Sequence, residues 1–154
     1  MKGRLYQYGF RTKVGSSISE FAPALFLLFF FAVFPMINLI FLGLIFSSCV
    51  TLNNAELSEA AKTPNSQLAS IFSNMQSNWQ STGIGRLTNG ATSPQSEISY
   101  SNIGIDAYVT VATTFTVKPF FTVPFFNTVP GLGAPWSFTV SGKKVLESAR
   151  YANL

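Results

Sequence analysis

Residues 14–50 read V-G-S-S-I-S-E-F-A-P-A-L-F-L-L-F-F-F-A-V-F-P-M-I-N-L-I-F-L-G-L-I-F-S-S-C-V, and the reading of this run decides the fold. Glu20 is its one charged residue, and from position 21 to position 50 there is none. Wound as a helix, the charge-free part is about 45 Å long at roughly 1.5 Å per residue, against a bilayer hydrocarbon core of about 30 Å. Nineteen of its residues are Phe, Leu, Ile or Val. At roughly −0.3 to −0.6 kcal/mol apiece near the bilayer centre, they outweigh Pro23, Pro35 and Asn38. By length and composition the run is a membrane span.

The charges outside it give the span a direction. Lys2, Arg4, Arg11 and Lys13 precede it, and the rest of the chain carries six basic and six acidic residues, so the net charge of +4 belongs to the leader. Cations gathered on one side place that side in the cytoplasm. The expected location is therefore the inner (cytoplasmic) membrane, with residues beyond about Thr51 periplasmic or extracellular. A nucleic-acid partner is not indicated, because these cations flank a span rather than decorate a folded face. Only 10% of the residues are charged and 47% are hydrophobic, unlike a typical soluble domain with about 25% charged.

There is no histidine and one cysteine, Cys49. That excludes a disulfide within the chain, a Cys/His metal site and a His-based nucleophile triad. Cys49, at the outer end of the span, reads as a small apolar residue in a helix. A lipid-modified cysteine after Phe46-Ser47-Ser48 is the alternative, but the apolar run before it is far longer than the roughly 7–15 residues of a signal h-region. The acids beyond the span, Glu56, Glu59, Glu97, Asp106 and Glu147, are scattered with no matching base. Neither catalytic activity nor a cofactor is expected.

Gly15 and Glu20 stand at the cytoplasmic mouth of the span. A carboxylate there can simply snorkel to the interface. If the chain were cut after Gly15, however, Ser16 would supply a new α-amino group, and Glu20 of one copy would pair with the amine of the next. Partly desolvated, such a pair is worth on the order of a few kcal/mol and sets the axial register between packed helices.

The pattern K-V-G-S-S-I-S-E-F followed by a long apolar helix resembles the class III leader of type IV pilin-like proteins, cut by a prepilin peptidase between Gly15 and Ser16. More narrowly, S-E-F-A-P-A-L-F-L-L with the later T-L-N-N-A-E-L-S-E-A-A-K resembles the TadE-like minor pseudopilins of tight-adherence (Tad) pili. The late stretches V-T-V-A-T-T-F-T-V-K-P-F-F and V-P-G-L-G-A-P-W-S-F-T-V-S-G-K-K-V-L-E are similar to the β-rich tail of the same family. The resemblance implies leader cleavage, Glu20 as the register residue, and other pilin-like subunits and the prepilin peptidase as partners. Pro23, Pro35 and Asn38 depart from an uninterrupted apolar helix, and each proline is expected to bend it.

The remaining segments follow from local pattern. Residues 1–15 are a basic leader and 16–50 the transmembrane helix. Gly43 and Ser47 form a small-x-x-x-small pair and Asn38 offers an amide, all three candidates for packing against a neighbouring helix. Residues 51–63 continue as a helical stalk, and 64–154 form a small exoplasmic domain. Thr63 and Pro64 start a new helix whose stripe is Leu68, Ile71, Phe72, Met75 and Trp79. Residues 81–96 are loop, rich in Gly, Ser, Thr and Asn.

Alternation predicts a strand over 106–118, with Val109, Val111, Phe115 and Val117 inward, and another over 136–144, with Trp136, Phe138 and Val140 inward. Residues 98–105 add a third, short strand. The helix over 68–79 is the expected cover for this sheet. Between the strands, the proline-punctuated run of 119–135 carries Phe120, Phe121, Phe125 and Phe126. It reads either as a loop folded over the core or as an exposed interaction surface facing a partner or a membrane leaflet.

The fold class is thus α+β: a long N-terminal transmembrane helix, then one helix and an antiparallel β-sheet outside the membrane. The leading functional expectation is a pseudopilin-like structural subunit in pilus assembly. Against it stand an unprocessed single-pass accessory subunit of a larger envelope complex and a lipoprotein anchored at Cys49.

Overall fold

The computed structural model describes residues 14–81, 83–88, 92–103, 106–122 and 125–148; for 14–20, 87–88, 92–93 and 103 only the backbone is described. Helix α1 (Val14–Leu28) passes through a π turn (Phe29–Val33) into α2 (Phe34–Ala60). The π turn has a local cause. Pro35 lacks an N–H, and its ring crowds the carbonyl four residues back, at Phe31. The chain responds with one wider turn, in which the N–H of Phe34 bonds the carbonyl of Phe29, five residues back. The helix therefore continues past Pro35 without ending.

It stops at Ala60. The N–H groups of Lys62 and Thr63 turn back onto the Glu59 carbonyl, and Pro64 cannot continue the pattern. The carbonyl of Ala61 accepts from the N–H of Glu147 at 3.0 Å, which ties the helix end to the C-terminal segment. Helix α3 (Asn65–Ser81) then runs to a short 3₁₀ turn (Gly85–Thr88). Leu68 and Phe72 are its buried residues, with Ile71, Met75 and Trp79 half-buried on the same stripe.

Three strands follow, β1 (Thr92–Ile103), β2 (Asp106–Val117) and β3 (Trp136–Val145), paired antiparallel in the order β1-β2-β3. The α+β layout expected from the sequence is the one observed. The first strand is longer than expected and starts inside the segment read as loop over 81–96. Its opening residues are polar and include Pro94, which falls where the β1–β2 register shifts between Thr92 and Gln95. An edge strand tolerates a proline at such a bulge because no ladder bond is needed from it.

The sheet's cover differs from expectation. It is chiefly α2, with α3 laid along the β1 side. A single stripe of α2 is buried: Asn38, Phe41, Leu42, Ile45, Cys49, Leu52, Asn53, Glu56, Leu57 and Ala60. Steps of three and four keep these residues on one face. They meet the inward side chains of β2, where Val109, Val111, Thr113, Phe115 and Val117 are all buried. The segment 51–63, expected as a stalk, gives Leu52, Asn53, Glu56, Leu57, Ala60 and Ala61 to the domain core.

The core has two apolar compartments. Leu57, Ala60, Ala61, Leu68, Phe72, Val109, Val111 and Leu146 form one, at the C-terminal end of α2. Phe41, Leu42, Ile45, Cys49, Leu52, Phe115 and Val117 form the other, nearer the π turn, with Met75, Trp79, Phe138 and Val140 packed on it. Fully burying one large apolar side chain contributes about 1.5–3 kcal/mol, so each compartment is a substantial source of stability.

Candidate functional site

The helix from Phe21 to Ala60 is long and apolar enough to cross a membrane. Its two halves differ in what covers them. Phe21, Phe26, Leu27, Leu28, Phe29 and Phe31 are all exposed, as are Met36, Leu39 and Ile40. Soluble domains rarely leave so many large apolar side chains in one contiguous exposed band. From Asn38 onward one face of the same helix is instead covered, first by the loop after β2 and then by the sheet.

The loop after β2 lies against the exposed half. Phe120 packs on Phe41 (ring centroids 5.1 Å), Phe121 on Phe34 (5.6 Å), Phe126 on Phe31 (6.2 Å) and Phe125 on Phe30 (6.5 Å). Asn38 fastens the loop. Its side-chain Nδ2 donates to the Phe121 carbonyl at 2.7 Å, and its Oδ1 accepts from the Phe121 N–H at 2.9 Å. The loop packs on the helix, yet Phe120, Phe121 and Phe125 remain exposed, Phe125 at 88%. Phe125 also adopts φ +74°, a left-handed conformation that bulky residues seldom take.

These contacts sort the candidate packing residues. Asn38 is fully buried and engaged within the chain, so its amide is not available to a neighbouring helix. Gly43 and Ser47 lie on the opposite, uncovered side of α2. A methyl group added at Gly43 would meet nothing within 4 Å. Gly43 borders an open cleft of about 490 Å³ with Leu39, Phe46, Pro130 and Trp136. Ser47 borders another of about 520 Å³, shared with Thr51, Met75 and Trp79.

At the N-terminal end, the backbone of Gly15, Ser16 and Glu20 is helical, within α1. Their side chains, and with them the expected pairing of Glu20, lie outside the described residues. Cys49 is fully buried on the sheet-facing side of α2.

Sequence reasoning missed a polar layer between the two apolar compartments. Glu56, itself fully buried, accepts from Thr113 Oγ1 at 2.6 Å and Ser96 Oγ at 2.8 Å on Oε2, and from Gln76 Nε2 at 2.9 Å on Oε1. Asn53 Nδ2 donates to Thr113 Oγ1 at 2.9 Å and to the Val111 carbonyl at 3.2 Å. Four elements therefore meet at one carboxyl group. Both oxygens of the buried carboxyl group are hydrogen-bonded, which is how a polar group survives in a core. No lone signal in the sequence marks it, since its partners are distant in the chain. Among the described residues no group of His, Cys, Asp or Glu could hold a metal ion.

Trp79 Nε1 donates to Ser48 Oγ at 2.7 Å, joining α3 to α2. The buried hydroxyl of Tyr100 has no hydrogen-bond partner, and burial raises its pKa above the ordinary tyrosine value.

Compared with protein-family models, with curated proteins and with solved structures, the chain gives no match.

Proposed function

We propose that the chain is a membrane-anchored structural subunit, a TadE-like minor pseudopilin that takes part in assembling a tight-adherence or type IV-like adhesive pilus. The observation that carries this reading is one continuous helix with an uncovered apolar N-terminal half and a C-terminal half built into a small α+β domain. Such a rod anchors a subunit in the bilayer and offers the same apolar surface to neighbouring rods. The K-V-G-S-S-I-S-E-F junction supports the rest of the reading. A prepilin peptidase cuts between Gly15 and Ser16, and the new Ser16 amine of one subunit pairs with Glu20 of another. No catalytic step and no cofactor enter this role, and the leader faces the cytoplasm.

The test is the N-terminus of the mature native protein, determined by mass spectrometry. A chain beginning at Ser16 is expected, and one that keeps Met1 would overturn the pilin reading.

The open side of α2 around Gly43 and Ser47 supports a second reading, an unprocessed accessory subunit of a larger envelope complex, because that face accepts another helix without any cleavage. Replacing Gly15 by Val separates the two. Maturation is lost under the first and nothing changes under the second.

A further inference from the structure

We infer that the loop carrying Phe120, Phe121, Phe125 and Phe126 is itself embedded in the lipid leaflet on the domain's side, beside the helix. This rests on the reading of the exposed apolar helix as a bilayer span, and it adds a second, non-helical membrane element to it.

Three observations point to acyl chains as what covers the loop. The first is depth. The rings of Phe120 to Phe125 contact the helix from Phe41 down to Phe30, about 16 Å at roughly 1.5 Å per residue. That is about half of a 30 Å hydrocarbon core, hence one leaflet. The second is composition. No residue from 119 to 142 is charged, and the exposed rings of Phe120, Phe121 and Phe125 adjoin the apolar band of α1 and α2, with Thr122, Asn127 and Thr128 as the exposed polar residues of the loop.

The third is the loop's base. Lys118 is exposed and directly follows Val117, which belongs to the same core cluster as Phe41 and Leu42. Trp136, paired with Val117 across the sheet, is 37% exposed. A lysine and a tryptophan at one level are suited to the headgroup region. From Glu20 to Phe41 the helix rises about 31 Å, which spans the hydrocarbon core.

Irregular backbone at membrane depth has to be hydrogen-bonded or covered by protein, and this loop meets the demand at its contact with Asn38 and in its closing turn. Pro119, Pro130 and Pro135 have no N–H to desolvate. Phe121 gives its N–H and carbonyl to Asn38. The N–H groups of Val129, Gly131, Leu132, Gly133 and Ala134 are all bonded within the turn that closes the loop. Asn38 gains by the same exchange, since a lone amide on a span would otherwise face lipid.

The experiment is nitroxide accessibility in the full chain carrying Cys49→Ala, reconstituted in phosphatidylcholine nanodiscs. Single cysteines replace Phe125, Met36 on the exposed helix face, and Asn54 beyond the apolar run. Collision with oxygen reports lipid, and collision with a water-soluble nickel chelate reports solvent. The label at 125 is expected to match that at 36, with oxygen collisions several-fold favoured, while that at 54 shows the reverse. A label at 125 that behaves like 54, with 36 still in lipid, overturns the embedded loop and leaves the anchor standing. Water access at both 125 and 36 overturns the anchor as well. Shielding from both reagents at 125 means a protein neighbour covers the loop, and that also overturns the inference. A label replacing Phe120, 52% exposed, repeats the test if the Phe125 variant fails to fold.

Discussion

Residues 21–37 and residues 38–60 belong to one helix, and their fates are different. The first segment is apolar on every side and lies largely uncovered. The second is apolar to position 50 yet buries a single stripe against β2, with Asn38, Asn53 and Glu56 among the buried residues. An apolar helix says that something must cover it; it does not say whether lipid or protein does. The polar residues on the stripe carry that information. An amide or carboxyl in a core has fixed partners, whereas in lipid it has none.

The largest effect expected from this contrast comes from equal truncations in the two halves of the molecule. Phe115 is 1% exposed, stacked on Phe138 and set edge-on to Trp79. Phe115→Ala should cost about 3–5 kcal/mol of domain stability. Phe26→Ala, at a residue 62% exposed, should leave it unchanged within about 0.5 kcal/mol. Denaturant unfolding in micelles, followed by the fluorescence of Trp79 and Trp136, measures both; equal losses would erase the distinction.

Next comes the polar layer. Glu56→Ala removes the acceptor that Thr113, Ser96 and Gln76 share, leaving Gln76 and Ser96 only their bonds to Ser96 and Thr113, and should cost about 2–3 kcal/mol in the same assay. A neutral result would mean that water enters the layer and that the covered half is less sealed than its geometry indicates.

At the boundary between the halves, Asn38→Ala strips both bonds from the Phe121 backbone, a loss of about 1–2 kcal/mol. Its signature is local. Amide exchange at Phe121 should accelerate while Val111, deep in the sheet, stays protected. Uniform acceleration would mean that the loop and the sheet open as one unit.

The smallest effect concerns Tyr100, whose buried hydroxyl lacks a partner. Tyr100→Phe should be neutral or stabilising by up to about 1 kcal/mol. Its pH dependence has a definite sign. Burial favours the neutral phenol in the folded state, so its contribution is whole below the ordinary tyrosine value of about 10 and falls away as pH rises through the folded value. The Phe variant should lose less stability than the parent above pH about 10; an identical alkaline profile would count against burial of that hydroxyl.

Much of this was legible from residues alone. The charge-free run announced the long helix, the alternation of Val109, Val111, Phe115 and Val117 announced β2, and the stripe from Leu68 to Trp79 announced α3. Three features were not. The buried stripe of α2 is hidden between 38 and 50 because its outward residues are as apolar as its inward ones. The meeting of Glu56 with Thr113 and Ser96 joins residues 57 and 40 positions apart, and no local pattern encodes it. The start of β1 was masked by Thr, Ser, Pro and Gln, a loop-like composition that an edge strand with a bulge accommodates. At the candidate site, the Phe-rich loop stood out, but its docking on Asn38 is a tertiary fact.

The most direct measurement is labelling of the full chain in phospholipid vesicles by a lipophilic carbene-generating probe, mapped residue by residue along the helix. Adducts are expected at Phe26, Leu27, Leu28 and Met36, and none at Ile45, Cys49 or Leu52, which the sheet covers. Adducts spread evenly over both groups, or absent from the first, would contradict one helix shared between bilayer and domain.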